Sequence, residues 1–482
     1  MRASAALLVC LGIALVSGAV ARSAGGTAPS FAAVKSYAIG KGSGPVKFVD
    51  VNGDGKVDLA TPQYGANTVS LLTNGGDGRF AAPVTYATGA FPRVVEAGDV
   101  NGDGKPDLLT ANASSISVLL NRGEGTFAAP SDYETPRLPA LAVHDLNGDG
   151  RPDLVTSSYD ASAVSVFLNA GDGTFGARQD YDTARNPGEP SLADLNGDGF
   201  ADVVVATDAN RLTVLLNGGD GTFANRLDYS TGADPGDDEL ADLNGDGRLD
   251  IVTANVGGKS LSVLLNDGSG GFAARHDYEA GTSFDTVDVA DLNGDGHPDL
   301  LARGEAEPVD HVSVFLNSGG GSFGARHDFR TGDTKSGTLA DLTHDGRPEL
   351  VVTRSFHGLV VSVLLNRGNG GFQPPLDYPA RGIDDVGAAD LNGDGRPDVV
   401  ISGSTALSVV LNRPGLCNVQ YVKGLKLAAA KDRLRRGHCR PGRVRLVRSH
   451  SKNGVVLKQR LRFGVVRKAG ARVALVVSKG RK

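Results

Sequence analysis

The nonapeptide Asp50-Val51-Asn52-Gly53-Asp54-Gly55-Lys56-Val57-Asp58 comes back seven times, beginning at Asp99, Asp145, Asp194, Asp242, Asp291, Asp341 and Asp390, at intervals of 46 to 50 residues. Every copy except the one at Asp341 keeps the pattern D-x-N-G-D-G-x-x-D. A period of that length constrains the fold more than any local propensity does. It requires a series of like units, each burying its apolar surface against the next.

Four short strand signals recur within each unit. One begins at a Phe and ends six residues later at a Tyr or Phe, as at Phe31/Tyr37, Phe80/Tyr86 and Phe127/Tyr133, a spacing that puts both rings on one face of a strand. A second runs into the nonapeptide (Pro45 to Val49, Leu141 to His144) and a third leaves it (Asp153 to Thr156, Asp202 to Ala206). The fourth is Ser-Val-Leu-Leu-Asn or a variant, as at Ser117 to Asn121 and Ser262 to Asn266, and a Gly-rich turn after it signals a hairpin. No long 3.6-residue periodicity interrupts them, and 67 Gly among 482 residues argue for many tight turns. Four antiparallel strands per unit of about 48 residues, repeated eight times without helices, predict an all-β β-propeller.

The nonapeptide itself reads as a metal loop. Side chains at positions one, three, five and nine converge, a backbone carbonyl at position seven can join them, and Gly at position six permits the bend. Two carboxylates about 4 Å apart repel by on the order of 4 kcal/mol at an effective dielectric near 20, so three pairs cost roughly 10 kcal/mol without a cation. Calcium suits such oxygen ligands, whereas zinc or copper would ask for His or Cys. No loop carries Cys, and His occurs in only two of them, at His297 and His344. Asn-Gly and Asp-Gly are also ordinary turn formers, but seven copies in register are more than a turn requires.

The loops, the Ser-Val-Leu-Leu-Asn strands and the Gly-x-Gly-Thr-Phe turns together resemble FG-GAP/VCBS repeats, the units of the integrin α-subunit propeller, over about residues 31–415. In that family each loop binds calcium, so the resemblance implies up to eight Ca2+ ions. The implied ligands are Asp50, Asn52, Asp54, Lys56 and Asp58; Asp99, Asn101, Asp103, Lys105 and Asp107; Asp145, Asn147, Asp149, Arg151 and Asp153; and Asp194, Asn196, Asp198, Phe200 and Asp202. The second half supplies Asp242, Asn244, Asp246, Arg248 and Asp250; Asp291, Asn293, Asp295, His297 and Asp299; Asp341, Thr343, Asp345, Arg347 and Glu349; and Asp390, Asn392, Asp394, Arg396 and Asp398. Position seven contributes its carbonyl, whatever its side chain. Thr343 and Glu349 depart from the pattern, so the site at Asp341 is expected to be the weakest.

Family propellers usually have seven blades, whereas eight units are counted here. Eight blades of four strands are expected, with seven as the alternative. If blades begin at the strand entering the loop, Phe31 to Tyr37 is left over and can pair beside Ala406 to Leu411, closing the ring.

Catalytic look-alikes lack their context. Gly320-Gly321-Ser322-Phe323-Gly324 matches a nucleophile elbow and Gly171 to Gly176 matches G-x-G-x-x-G, but both fall on the repeat's hairpin turn with no helix to follow. No catalytic constellation is found, so the expectation is a non-enzyme. A propeller-type enzyme acting on glycans would need acids or His from irregular loops such as 183–190 or 304–311.

Charge divides the chain in two. From Leu416 onward 20 Lys and Arg face one acid, Asp432, while the remainder holds 29 against 54. At the other end, Arg2, the apolar run from Ala5 to about Val16 and Ala19-Val20-Ala21 read as a signal peptide over 1–21, followed by a linker over 22–30. The protein is therefore expected to be secreted or envelope-associated, with no transmembrane segment in the mature chain. In an oxidising compartment Cys417 and Cys439 are expected to pair.

The segment 416–482 resembles a PASTA domain in Val422-Lys423-Gly424-x-x-Leu427-x-x-Ala430, in Gly442 to Val444 and in the closing Gly470 to Gly480. The pattern predicts a helix over Leu427 to Arg436 and strands near 443–448, 455–460 and 473–477. Members of that family contact muropeptides or peptidoglycan, which the resemblance implies as a partner. The charge separately favours an anionic polymer. Nucleic acid is disfavoured by export and by a tail with only Tyr421 and Phe463 to stack on bases. The combined expectation is an exported calcium-binding propeller that takes a glycan or a protein on its non-repeating loops, with a purely structural scaffold as an alternative.

Overall fold

The computed structural model describes residues 28–137, 139–304, 311–332, 334–355 and 359–480. The expected signal peptide, most of the linker and the centre of the 304–311 loop lie outside them. Among the described residues the strands of the repeat region form eight four-stranded antiparallel sheets. The first consists of Lys47–Val49, Asp58–Gln63, Thr68–Leu72 and Val84–Ala87 in that order. First strands of neighbouring sheets approach one another and so are the inner ones.

Each second strand is buried on both faces because it is packed between two sheets. Asp58–Gln63, Asp153–Ser158, Asp202–Thr207 and Asp250–Asn255 are buried at every position. The outer strands, such as Val84–Ala87 and Gln179–Asp182, bury little. Eight apolar clusters join the sheets. One combines Val51, Ala60 and Leu71 with Val95, Leu108 and Leu119, and another combines Leu391, Val400 and Leu407 with Val46, Leu59 and Leu72, which brings the last sheet against the first. The result is a ring.

The ring closes through the leading strand. Lys35–Ala38 pairs with Ala406–Val410, with Tyr37 opposite Leu407, and so completes the sheet begun by Asp385–Ala389. Phe31 bridges to Asn412 beyond it.

One expectation is corrected. Phe and Tyr of the same signal share a strand in a single unit, Phe223–Ser230; elsewhere the Phe forms an isolated bridge, or a two-residue strand, with the Asn that ends the preceding strand. Each Tyr instead meets the Phe of the following unit edge to face: Tyr37 with Phe80, Tyr86 with Phe127, Tyr181 with Phe223. The series ends on Tyr378 against Phe31, with ring centroids 4.6 Å apart, so the aromatic pairs also run round the ring. Packing between units, which a spacing within one unit cannot express, decides the partner.

The C-terminal segment is a small α+β unit. Its helix spans Leu427–Arg436 and buries Ala430 and Leu434 against strands Arg440–Val447, Val456–Gln459 and Arg472–Ser478. Cys417 and Cys439 form a disulfide. The unit is fastened to the ring by a buried ion triad in which Asp377, fully buried, receives Arg354 from its own sheet and Arg433 from the helix. The Asn418 side chain also accepts from the Phe31 N–H (2.9 Å) and donates to the Phe31 carbonyl (2.7 Å), gripping the segment that closes the ring.

Candidate metal loops

Each nonapeptide connects the first strand of a sheet to the second. In the first loop Asp50 Oδ1 accepts from the N–H of Gly53 (2.8 Å) and Asp54 (3.2 Å), and its Oδ2 accepts from Gly55 (2.7 Å). Asn52 Oδ1 accepts from Asp54, and Asp54 Oδ1 from Lys56. Gly53 and Gly55 have φ of 72° and 78°, the left-handed region that Gly enters at least cost; position six is Gly in every loop, whereas in the seventh loop His344 takes position four at φ 57°. Asp99, Asp145, Asp194, Asp242, Asp291 and Asp390 hold their loops in the same way.

Position nine points inward. Asp58 is fully buried, with Oδ2 accepting from Val51 N–H (3.2 Å) and Oδ1 from Asn74 N–H (2.6 Å). Asp107, Asp153, Asp202, Asp250, Asp299 and Asp398 repeat both bonds. Burial, with like charge in the loop acting in the same direction, pushes Asp107, Asp202, Asp299 and Asp398 up to about 6. At position five the trend reverses in the two loops with Lys at position seven. Lys56 Nζ lies 3.0 Å from Asp54 and Lys105 Nζ 2.9 Å from Asp103, and these bonds hold both carboxyls below their ordinary range.

Among the described residues no three His, Cys, Asp or Glu side chains are gathered around one point that could hold an ion. Backbone N–H groups take the oxygens of positions one, three, five and nine. The donor chemistry is nonetheless that of a hard cation site, with three carboxylates and an amide in nine residues and one carboxylate wholly buried. A cation would draw positions one and five away from their N–H partners.

The loop at Asp341 differs as its sequence does. Thr343 N–H donates to Glu349 Oε2 (3.1 Å), and Arg347 grips Asp345, with Nη2 2.7 Å from Oδ2. Burial, reinforced by Asp341, raises Glu349 to about 8.

The Asn that ends each Ser-Val-Leu-Leu-Asn strand has a role that sequence reasoning did not assign. Asn121 Nδ2 donates to the Val51 carbonyl of the preceding sheet (2.8 Å) and to Pro106 of its own (2.8 Å). Asn74, Asn169, Asn217, Asn266, Asn317 and Asn412 make the same crossing, to Leu391, Val100, Leu146, Leu195, Leu243 and Leu342. The acceptor is the residue after the first Asp of the neighbouring loop, so the loops and asparagines lock the sheets together. Strict recurrence of the Asn was the available signal; its partner is about 70 residues away.

Gly320–Gly324 and Gly171–Gly176 lie on the turns bridged by Asn317 with Phe323 and Asn169 with Phe175. A family model described as FG-GAP-like repeat matches residues 50–110, 99–156, 145–205, 194–253, 242–302 and 341–401. These stretches cover well over half of the chain. The chain belongs to the FG-GAP-like repeat family.

No curated protein matches this FG-GAP-like repeat chain. Among solved structures it is similar to Saccharomyces cerevisiae Sqt1, at 13% identity over 81% of this chain and 100% of that one, with a TM-score of 0.55. It is also similar to an Agrocybe aegerita lectin described as recognising non-reducing terminal N-acetylglucosamine (23% identity, 72% and 90% of the chains, TM-score 0.47). The V. cholerae biofilm matrix protein Bap1 is a third (14% identity, 77% of each chain, TM-score 0.35). At these identities the likeness concerns the fold alone.

Proposed function

We propose that this FG-GAP-like repeat propeller is an exported, calcium-stabilised ligand-binding or adhesion module, whose PASTA-like basic tail holds it to peptidoglycan or another anionic polymer of the cell envelope. The observation that carries the reading is the fixed presentation of the tail. Arg440, Arg443, Arg445 and Arg448 stand exposed along one strand and its end, on a unit clamped to the ring through Asp377. A rigid basic edge of this kind binds polyanions through several charges at once. The ring's own ligand, a glycan or a protein, meets the end of the sheets away from the acidic loops. Tyr64, Phe91 and Tyr159 are there, 47%, 56% and 46% exposed, on turns and connections that differ from unit to unit. Phe91 has φ 54°, a conformation a large side chain adopts at a cost, which supports a role for its projecting ring.

Retention of the full chain on insoluble peptidoglycan, at low and at high salt, tests this. Replacing Arg440, Arg443, Arg445 and Arg448 by Gln is expected to abolish the salt-sensitive part, and Phe91→Ala with Tyr159→Ala the salt-resistant part. No retention at either salt concentration would overturn the tether.

A further inference from the structure

The tail presents a sheet face that looks away from the ring. Its three strands stand in the order Arg440–Val447, Arg472–Ser478, Val456–Gln459. One face is the core of the unit, where Val456, Val473, Leu475 and Val477 are buried with Ala430 and Leu434 of the helix. The same helix reaches the ring, with Arg433 on Asp377 and Arg436 on the Pro374 carbonyl (2.6 Å). Helix and ring therefore lie on one side of the sheet, and the alternate residues of its strands point to the other.

Strand register sets the pattern on that free face. Arg445 stands beside Val476, and Val476 stands opposite Lys458. One step along, the Arg460 N–H donates to the Ala474 carbonyl (2.9 Å), and Arg443 shares the face of Arg445 two residues before it. Two cationic edges, Arg443 with Arg445 and Lys458 with Arg460, thus flank a half-buried apolar strip of Ala474 and Val476. All four cations are exposed. Among the described residues the ion pairs of the tail use Arg433 and Arg436, the latter on Asp432, the one acid of the segment, so these four have no acid to neutralise them.

We propose that this face binds a linear polyol-phosphate polymer of the envelope, its chain laid along the central strand. The proposal rests on reading the tail as an envelope tether, and it names what the tether grips. Successive cations on one edge are about 7 Å apart, two residues of strand, and the edges are about 10 Å apart, two interstrand spacings. Such a double row calls for negative charge repeated along the chain itself. Peptidoglycan strands bear their carboxylates on peptide side arms. A polyol phosphate carries a charge in every backbone repeat, with a hydrocarbon segment between charges to lie on Ala474 and Val476. From Leu416 onward there are 12 Arg to 8 Lys, and the guanidinium fork engages two phosphate oxygens at once. Nucleic acid would ask for rings to stack its bases, and this face has none.

Fluorescence anisotropy of labelled poly(glycerol phosphate), titrated with the full chain at constant calcium, tests the face. Four phosphates neutralised on a flexible chain should make binding weaken on the order of fiftyfold from about 50 to about 200 mM salt. Arg443→Gln/Arg445→Gln/Lys458→Gln/Arg460→Gln is expected to bind at least about tenfold more weakly. The control removes the same charge from exposed cations outside this sheet, as Lys423→Gln/Lys452→Gln/Arg467→Gln/Lys468→Gln, and should stay within about threefold of the parent at physiological salt, where distant charges are screened. All eight side chains are exposed, so both variants should melt with the parent, which separates lost binding from misfolding. Equal loss in the two variants would reduce the interaction to net charge and overturn the proposal, as would tighter binding of an oligodeoxynucleotide of equal charge. Salt-sensitive retention on peptidoglycan stripped of phosphate polymers, with no binding of poly(glycerol phosphate), would overturn the polymer and leave the tether standing. Loss of both would overturn both.

Discussion

Asn217 donates its side-chain amide to Leu146 of the preceding sheet (2.7 Å) and to Ala201 of its own (3.0 Å), while its carbonyl oxygen accepts from Gly219 (2.9 Å). It is 4% exposed, so Asn217→Ala leaves buried carbonyls without donors. Each such loss costs about 1–3 kcal/mol, and the substitution should lower stability by about 2–3 kcal/mol in urea unfolding with an unchanged slope. Asn366 donates to Pro348 and makes no such crossing among the described residues, so Asn366→Ala should cost less. Equal losses would show that the crossing bond is not what holds the sheets. At this scale the sequence was legible in residue type but not in partner. The motif announced an obligatory Asn, and the Leu146 carbonyl it needs lies 71 residues earlier. Position nine shows the same limit: Asp58 reads as a ligand by spacing, but spacing does not reveal the two backbone N–H groups that engage its oxygens.

At the scale of elements, the strands and their order were legible because each loop and each Ser-Val-Leu-Leu-Asn run sits at a fixed offset in its unit. The leftover strand was legible by counting, and Lys35–Ala38 indeed pairs beside Ala406–Val410. The aromatic pairing was not, since Tyr37 turns to Phe80 of the next unit rather than to Phe31. The loops carry the calcium prediction. A site filled at 100 times its dissociation constant adds about 2.7 kcal/mol, and 1 kcal/mol moves a large domain's midpoint by about 2–4 °C. Chelation should therefore lower the melting temperature by at least about 5 °C, and an unchanged melt would refute calcium binding. The loops should not contribute equally. In the seventh, Arg347 holds Asp345 and Glu349 is spent on Thr343, so Asp345→Asn should reduce the calcium-dependent shift less than Asp246→Asn, whose Arg248 stands 3.9 Å away.

On the whole molecule, the placement of charge outweighs its total. The formal net charge of -6 hides a basic tail, an acidic ring and, inside that ring, carboxyls crowded on one wall. The division between ring and tail was visible in the sequence. The wall was not, because Glu96, Glu189, Asp237, Glu239, Asp288 and Asp385 come from five units and meet only when the ring closes. The folded-state pKa values of Asp237, Glu239 and Asp385 lie above the unfolded ones, so the folded chain holds protons that the unfolded chain has released, and stability falls as pH rises toward the folded values. Position-nine carboxyls near 6 contribute only to the acidic end of this decline. Between pH 7 and 9 the remaining slope belongs to Asp237 near 8, Glu239 near 9 and, in the seventh loop, Glu349 near 8. In a chelator, which leaves the loops without metal, the melting temperature should drop across that interval. Asp237→Asn/Glu239→Gln removes two of the groups while leaving Glu349 in place, so the drop should become shallower but persist. An identical slope in parent and variant would mean that the inner wall is solvated well enough to ionise freely, and the crowding inferred from its geometry would have no energetic consequence.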